Sequence, residues 1–70
     1  MRKNLQTARK AHKLTQQAIA DKLGVHERYY KAIESGERLG SIAIWDEIED
    51  LLHIHQRILR ENHPGTEDNP

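Results

Sequence analysis

Apolar and small residues recur along this chain at helical intervals, and no segment alternates as a strand would. Leu5, Ala8 and Ala11 share one side of a first helix expected over residues 2–13. Arg9, Lys10 and Lys13 lie near its end, where the helix dipole favours positive charge. Thr15 is a candidate N-cap for a second helix over 16–23, although Ala18 stands where a capping box would place Glu or Gln. Gly24 can take positive φ and turn the chain sharply. A third helix is expected over about 26–35, stopped by Gly36 as a left-handed cap. Ser41 then caps a fourth helix over 42–52, and a short fifth covers about 54–61. From Asn62 the text NHPGTEDNP has Pro, Gly and acids and no apolar period. The expected organisation is therefore one all-α domain over residues 1–61 and a mobile or loosely docked tail over 62–70.

The stretch TQQAIADKLGVHERYYKAIESG, residues 15–36, has the spacing of two crossing helices joined by a tight turn. Ala20 falls where the two helices come closest, so a small side chain is needed there, and Gly24 falls at the turn. Ile19, Leu23, Val25, Tyr30 and Ile33 take the inward positions. Placing Tyr30 and Ile33 inward fixes the rotation of the third helix. At about 100° per residue, Arg28, Lys31, Ala32 and Ser35 then point outward, with Glu27 near the N-terminal edge. A helix held this way can enter the major groove of DNA with its N-terminal residues leading.

With LTQQAIADKLGV, YYKAIESGER and SIAIWDEIEDLL in place, the chain resembles the phage-repressor and Cro type of helix-turn-helix, the Xre family of bacterial regulators. The resemblance covers residues 3–60 and implies a compact five-helix bundle of the lambda-repressor-like type. It carries roles over position by position. Gln16, assisted by Gln17, stands where the family contacts a phosphate, a task suited to the free N–H groups of a helix start. Glu27, Arg28 and Ala32 occupy base-reading positions. Arg28 is the strongest candidate, because Arg binds guanine O6 and N7 bidentately. Glu27 can accept from a cytosine amino group or repel a misplaced phosphate, and Ala32 can at most touch a thymine methyl. Tyr29 and Lys31 flank the reading face as backbone contacts, and Arg38 in the following loop is another phosphate candidate. Arg9 and Glu34 match an ion pair between the first and third helices. The chain departs from the family pattern at His26, a poorer cap than Ser or Thr; at Tyr30, where Ile or Val is usual; at His53, where Gly is usual; and at Glu27, where Gln or Arg is more common.

Composition narrows the function further. Seventy residues make one small domain, which buries only about 60% of its unfolded surface. With no cysteine, stability must come from dense packing or a partner. No apolar run is long enough for a membrane span and the N-terminus lacks a signal-peptide core, so a cytoplasmic protein is expected. The net charge of zero hides a split. Residues 1–31 hold eight Lys/Arg against Asp21 and Glu27, and residues 32–70 hold three Arg against nine Asp/Glu. A polyanion is drawn to the first half and repelled by the second.

Other chemistry finds little support. His53 and His55 are two apart, which on a helix aims them in opposite directions. His26-Glu27 begins like a zinc-protease helix, but Tyr30 stands at the second ligand position. Asp46-Glu47 and Glu49-Asp50 read as a solvated helix face. No catalytic constellation or phosphate-cradling Gly loop is visible, so neither an enzyme, a metal nor a cofactor is expected. Trp45, Ile48 and Leu52 make one stripe on the fourth helix, which Ile44 and Leu51 widen, and the fifth adds Ile54, Ile58 and Leu59. Either the two helices bury all of this against each other, or Ile44, Leu51, Ile54, Ile58 and Leu59 form the surface of a homodimer. A dimer would set two reading helices about 34 Å apart on a near-palindromic double-stranded operator. The expected function is a sequence-specific DNA-binding regulator, a repressor by analogy. The alternative is a protein-interaction module, such as an antitoxin or adaptor subunit, that keeps the fold with weak or no DNA binding.

Overall fold

A computed structural model describes residues 1–62. The chain over those residues is all-α, with helices α1 (Lys3–Ala11), α2 (Gln16–Leu23), α3 (Glu27–Ser35), α4 (Ile42–Leu52) and α5 (Gln56–Leu59). The part of the expected tail over 63–70 lies outside the described residues. Asn62, its first residue, is docked: its side-chain amide donates to Gly36 O at 3.3 Å and its Oδ1 accepts from the Met1 amino group at 2.7 Å.

Local chemistry sets most of the helix ends. Thr15 Oγ1 accepts from Ala18 N–H at 3.0 Å and Ser41 Oγ from Ile44 N–H at 3.1 Å, each satisfying an orphan donor of a first turn. Gly24 takes φ +73° and lets Val25 N–H reach back to Ala20 O at 3.0 Å, which closes α2. Gly36 takes φ +94°, a left-handed conformation that favours glycine, and a Cβ there would also displace the Asn62 side chain from its place beside the turn. His26 caps α3 without any side-chain bond, as its residue type predicts. Replacing it should show what that costs: His26→Ser is expected to add about 1 kcal/mol. Its melting temperature should rise by about 4–8 °C.

Three boundaries differ from the sequence reading. Arg2 is the N-cap of α1 rather than its first residue, because its backbone N–H and side chain are drawn to the end of α3. α1 also stops at Ala11, since Lys13 takes φ +58° and Leu14 N–H returns to Arg9 O at 3.2 Å. Ala11 is accordingly exposed, whereas Leu5 and Ala8 are buried. α5 is only four residues long. His53 adopts the left-handed conformation (φ +59°, ψ 34°) that glycine takes more readily, so the chain breaks there. It restarts only when His55 Nδ1 accepts from Arg57 N–H at 3.0 Å.

The helices pack around one core. α2 crosses α3; α1 lies against α3 and α5; α4 lies against α2 and α5. Trp45, Tyr30, Leu5, Ile19, Ile33, Ile48, Leu52 and Leu59 are its fully buried members, with Ala20 at zero exposure beside them. The candidate dimer surface needs correction here. Ile44 is 6% exposed and Leu59 0%, so both belong to the chain's own core. Leu51 and Ile54 are half-buried against it. Ile58 remains outward at 48%, and the larger exposed apolar residues are Leu39 at 60% and Ile42 at 80%.

Candidate nucleic-acid interface

Helix α3 is fixed in rotation by the burial of Tyr30, Ile33 and Glu34. Its other side therefore presents Arg28, Lys31 and Ser35 to solvent, with Glu27, Tyr29 and Ala32 half-buried along the edges. That side forms one wall of an open groove. Gln17 and Asp21 of α2 and Glu37 and Arg38 of the loop after α3 complete it. The groove brings together Gln17, Glu27, Arg28, Tyr29, Lys31, Ala32 and Arg38 from the sequence reading. Tyr29 reaches it while packing partly on the core.

Gln16 stands apart. Its side-chain amide turns inward and donates to Glu34 Oε2 at 3.1 Å. What α2 offers an anion at this end is the N–H groups of Gln16 and Gln17, since Thr15 Oγ1 already takes that of Ala18.

The groove is less basic than the charge split suggests. Arg2 and Arg9, two of the eight cations in residues 1–31, are buried. The groove itself sets Arg28, Lys31 and Arg38 against Asp21, Glu27 and Glu37, three charges of each sign. Glu37 belongs to the acidic half of the sequence yet lines this surface. Lys31 Nζ lies 3.6 Å from Glu27 Oε2, a solvent-exposed pair worth little in energy that nonetheless occupies both groups. Gln17 Nε2 donates to Asp21 Oδ1 at 3.2 Å. The guanidinium groups of Arg28 and Arg38 have no hydrogen-bond or ion-pair partner among the described residues.

Behind the outward side of α3 lies a buried polar network. Arg9 Nε donates to Glu34 Oε1 at 2.8 Å and Nη2 to Oε2 at 3.3 Å. Tyr30 Oη donates to Glu34 Oε1 at 2.8 Å, and Arg9 Nη1 closes on Leu14 O at 2.7 Å. With Gln16, four donors therefore converge on one carboxylate from α1, α2 and α3. The Glu34 hydrogen bond raises the Arg9 pKa above its ordinary value, against the opposing effect of burial. Burial, then the Glu34 hydrogen bond, push the Tyr30 phenol far above the usual tyrosine range, so it stays protonated and keeps donating. Tyr30 thus meets the requirement of a buried hydroxyl by joining the ion pair.

Sequence reasoning missed Arg2. Its guanidinium is buried and donates to Ile33 O, to Arg38 O at 2.9 Å and to Arg60 O at 3.1 Å, while lying 5.4 Å from the Trp45 ring centre. The only available hint is an absence: α3 has no basic residue in its last turn to complement its dipole. Among the described residues no three His, Cys, Asp or Glu side chains converge as metal ligands, and no helix is long and apolar enough to cross a membrane.

Comparison with known proteins agrees with this geometry. The helix-turn-helix family model of the Cro/C1 kind matches residues 5–55, which spans α1 to α4 and the turn after them. No curated protein and no solved structure matches the chain at a stringent threshold. The five helices, the packing of α2 on α3 across the Gly24 turn, and the family match over 5–55 lead to one conclusion: the chain belongs to the Xre-type helix-turn-helix family, whose members are DNA-binding regulatory domains of lambda-repressor-like fold.

Proposed function

We propose that this protein is a sequence-specific DNA-binding regulator that lays α3 in the major groove and acts as a repressor. The observation that carries the proposal is the outward side of α3, where an unpartnered Arg28 shares one open groove with Lys31 and Arg38. Arg28 reads a guanine edge, Ala32 leaves room for a thymine methyl, and Lys31, Arg38 and the start of α2 hold phosphates. Glu27 adds a second contact by accepting from a cytosine amino group, its other carboxylate oxygen lying near Lys31. Two copies on a near-palindrome complete the operator complex. Of the apolar side chains among the described residues, Leu39, Ile42 and Ile58 are exposed and available for pairing, while Leu51 and Ile54 are half-buried.

Arg28→Ala is expected to cost about 1–3 kcal/mol on the preferred sequence and to relax specificity at one base pair. Competition binding with substituted duplexes checks this, and an equal loss on every duplex would make Arg28 a phosphate contact instead.

The balance of three cations and three carboxylates in the groove favours a second reading, a protein-interaction module with weak DNA binding. Salt separates the two. The regulator reading predicts binding to random DNA whose log K falls by about 0.9 per phosphate contact for each unit of log salt. No binding at low salt supports the interaction module.

A further inference from the structure

We propose that Arg2 is a positioning residue for the DNA-facing loop, presenting Arg38 to the phosphate backbone. This rests on the DNA-binding reading above and names how one contact of that surface is held in place.

The loop after α3 is fixed from the core side by two side chains on consecutive carbonyls. Arg2 Nη1 donates to Arg38 O at 2.9 Å, and Trp45 Nε1 donates to Leu39 O at 2.6 Å. On the other side of the same residue, Arg38 N–H donates to Ala32 O at 3.1 Å. Arg38 thus has its N–H and its C=O both engaged while its side chain stays exposed in the groove. The same guanidinium of Arg2 bonds Ile33 O, a carbonyl of the last turn of α3, and its backbone N–H donates to Glu34 O at 2.8 Å. Last-turn carbonyls lack intrahelical donors, and α3 supplies no cation of its own there. One group therefore locks the loop to the end of the reading helix.

The chemistry calls for arginine. Three carbonyls from the end of α3, the loop and the end of α5 must be met from one plane over an indole ring. A guanidinium has a rigid planar fork and stacks on aromatic faces, whereas an ammonium is a point charge on a flexible stem. Burial, with a smaller repulsion from Arg60, lowers the Arg2 pKa, but an arginine remains charged.

The test uses the full chain with Arg2→Met, Arg2→Lys, Arg38→Gln and the double variant Arg2→Met with Arg38→Gln. Folding is followed by circular dichroism, Arg38 amide exchange by NMR, and affinity on a random-sequence duplex across a salt series. Arg2→Met removes three side-chain bonds, of which the one to Arg38 O holds the loop; it is expected to speed Arg38 amide exchange, relative to the α2 amides, and to weaken DNA binding, each by about tenfold, the worth of that one charge-assisted hydrogen bond. Its salt slope should fall by about 0.9, one phosphate contact. In the Arg38→Gln background, Arg2→Met should change affinity by less than about twofold, because the contact it serves is already gone.

An equal factor in both backgrounds, or unchanged exchange at Arg38, overturns the proposal. Wild-type behaviour of Arg2→Lys overturns the requirement for the fork. Should Arg2→Met fail to fold, Arg2→Lys is read in its place, since it keeps the charge and gives up the planar fork; unmoved Arg38 amide exchange in that variant counts against the proposal. If the unaltered chain binds no DNA at low salt, the DNA-binding reading falls, and Arg38 amide exchange in Arg2→Met alone decides whether Arg2 holds the loop.

Discussion

Glu34→Ala is expected to lose about 3–5 kcal/mol of folding stability, the typical cost of removing one partner from a buried ion pair. A chain of 70 residues has only about 4–10 kcal/mol in total, so this variant should be largely unfolded well below the wild-type melting temperature. The cause is what stays behind. Arg9 would remain buried with its charge opposed by nothing, and Tyr30 Oη and Gln16 Nε2 would each lose an acceptor. Glu34→Gln keeps an acceptor oxygen and most of the volume, and should cost less. Urea titration of both variants checks the order, and a loss under about 1 kcal/mol for Glu34→Ala would mean the network relaxes around water. Because the carboxylate joins α1, α2 and α3, its loss should also loosen the reading helix before the core melts.

Trp45→Ala should be comparably severe, at about 3–5 kcal/mol, since a fully buried indole leaves a large cavity. Trp45 is 1% exposed, fills the space between α4 and the loop after α3, and carries the Leu39 O bond. Arg2 would lose the ring it lies over and the loop its second tether. Thermal melts followed by far-ultraviolet dichroism measure the loss. Trp45→Phe, which keeps an aromatic ring, should retain most of the stability.

Much of the scaffold was legible in the sequence because the signals were local. Thr15 and Ser41 announce helix starts through a bond three residues away, Gly24 and Gly36 announce left-handed turns, and Tyr30 and Ile33 fix the rotation of α3 by their spacing. The same rotation picked out Glu27, Arg28, Lys31 and Ala32, which line the groove, but it included Ser35, which does not, and left Tyr29 to the family resemblance. The family resemblance, not spacing, pointed to Arg9 with Glu34, a pair 25 residues apart.

What escaped depends on contacts between distant segments. Arg2 meets carbonyls 31, 36 and 58 residues away, and no local pattern marks such a hub. Gln16, expected to face a phosphate, turns its side-chain amide to Glu34, 18 residues on, which spacing along α2 does not reveal. Summing charge by halves of the chain ignored that Arg2 and Arg9 are buried and that Glu37 folds into the groove. The dimer stripe failed at Ile44 and Leu59 because a helical stripe says which side is apolar, not whether the chain's own neighbours already cover it. α5 starts late because the left-handed turn at His53 is followed by a restart at His55, and it ends at Leu59, two residues short of the expected 61.

The central claim is that α3 reads DNA sequence through Arg28. Selection of bound duplexes from a random pool, run in parallel for the unaltered chain and Arg28→Ala, tests it most directly. Enrichment of a near-palindrome is expected, with half-sites about 34 Å apart, one helical turn, each containing a guanine that loses its preference in Arg28→Ala. A pool that stays as random as it began, or an identical motif from both proteins, would contradict it.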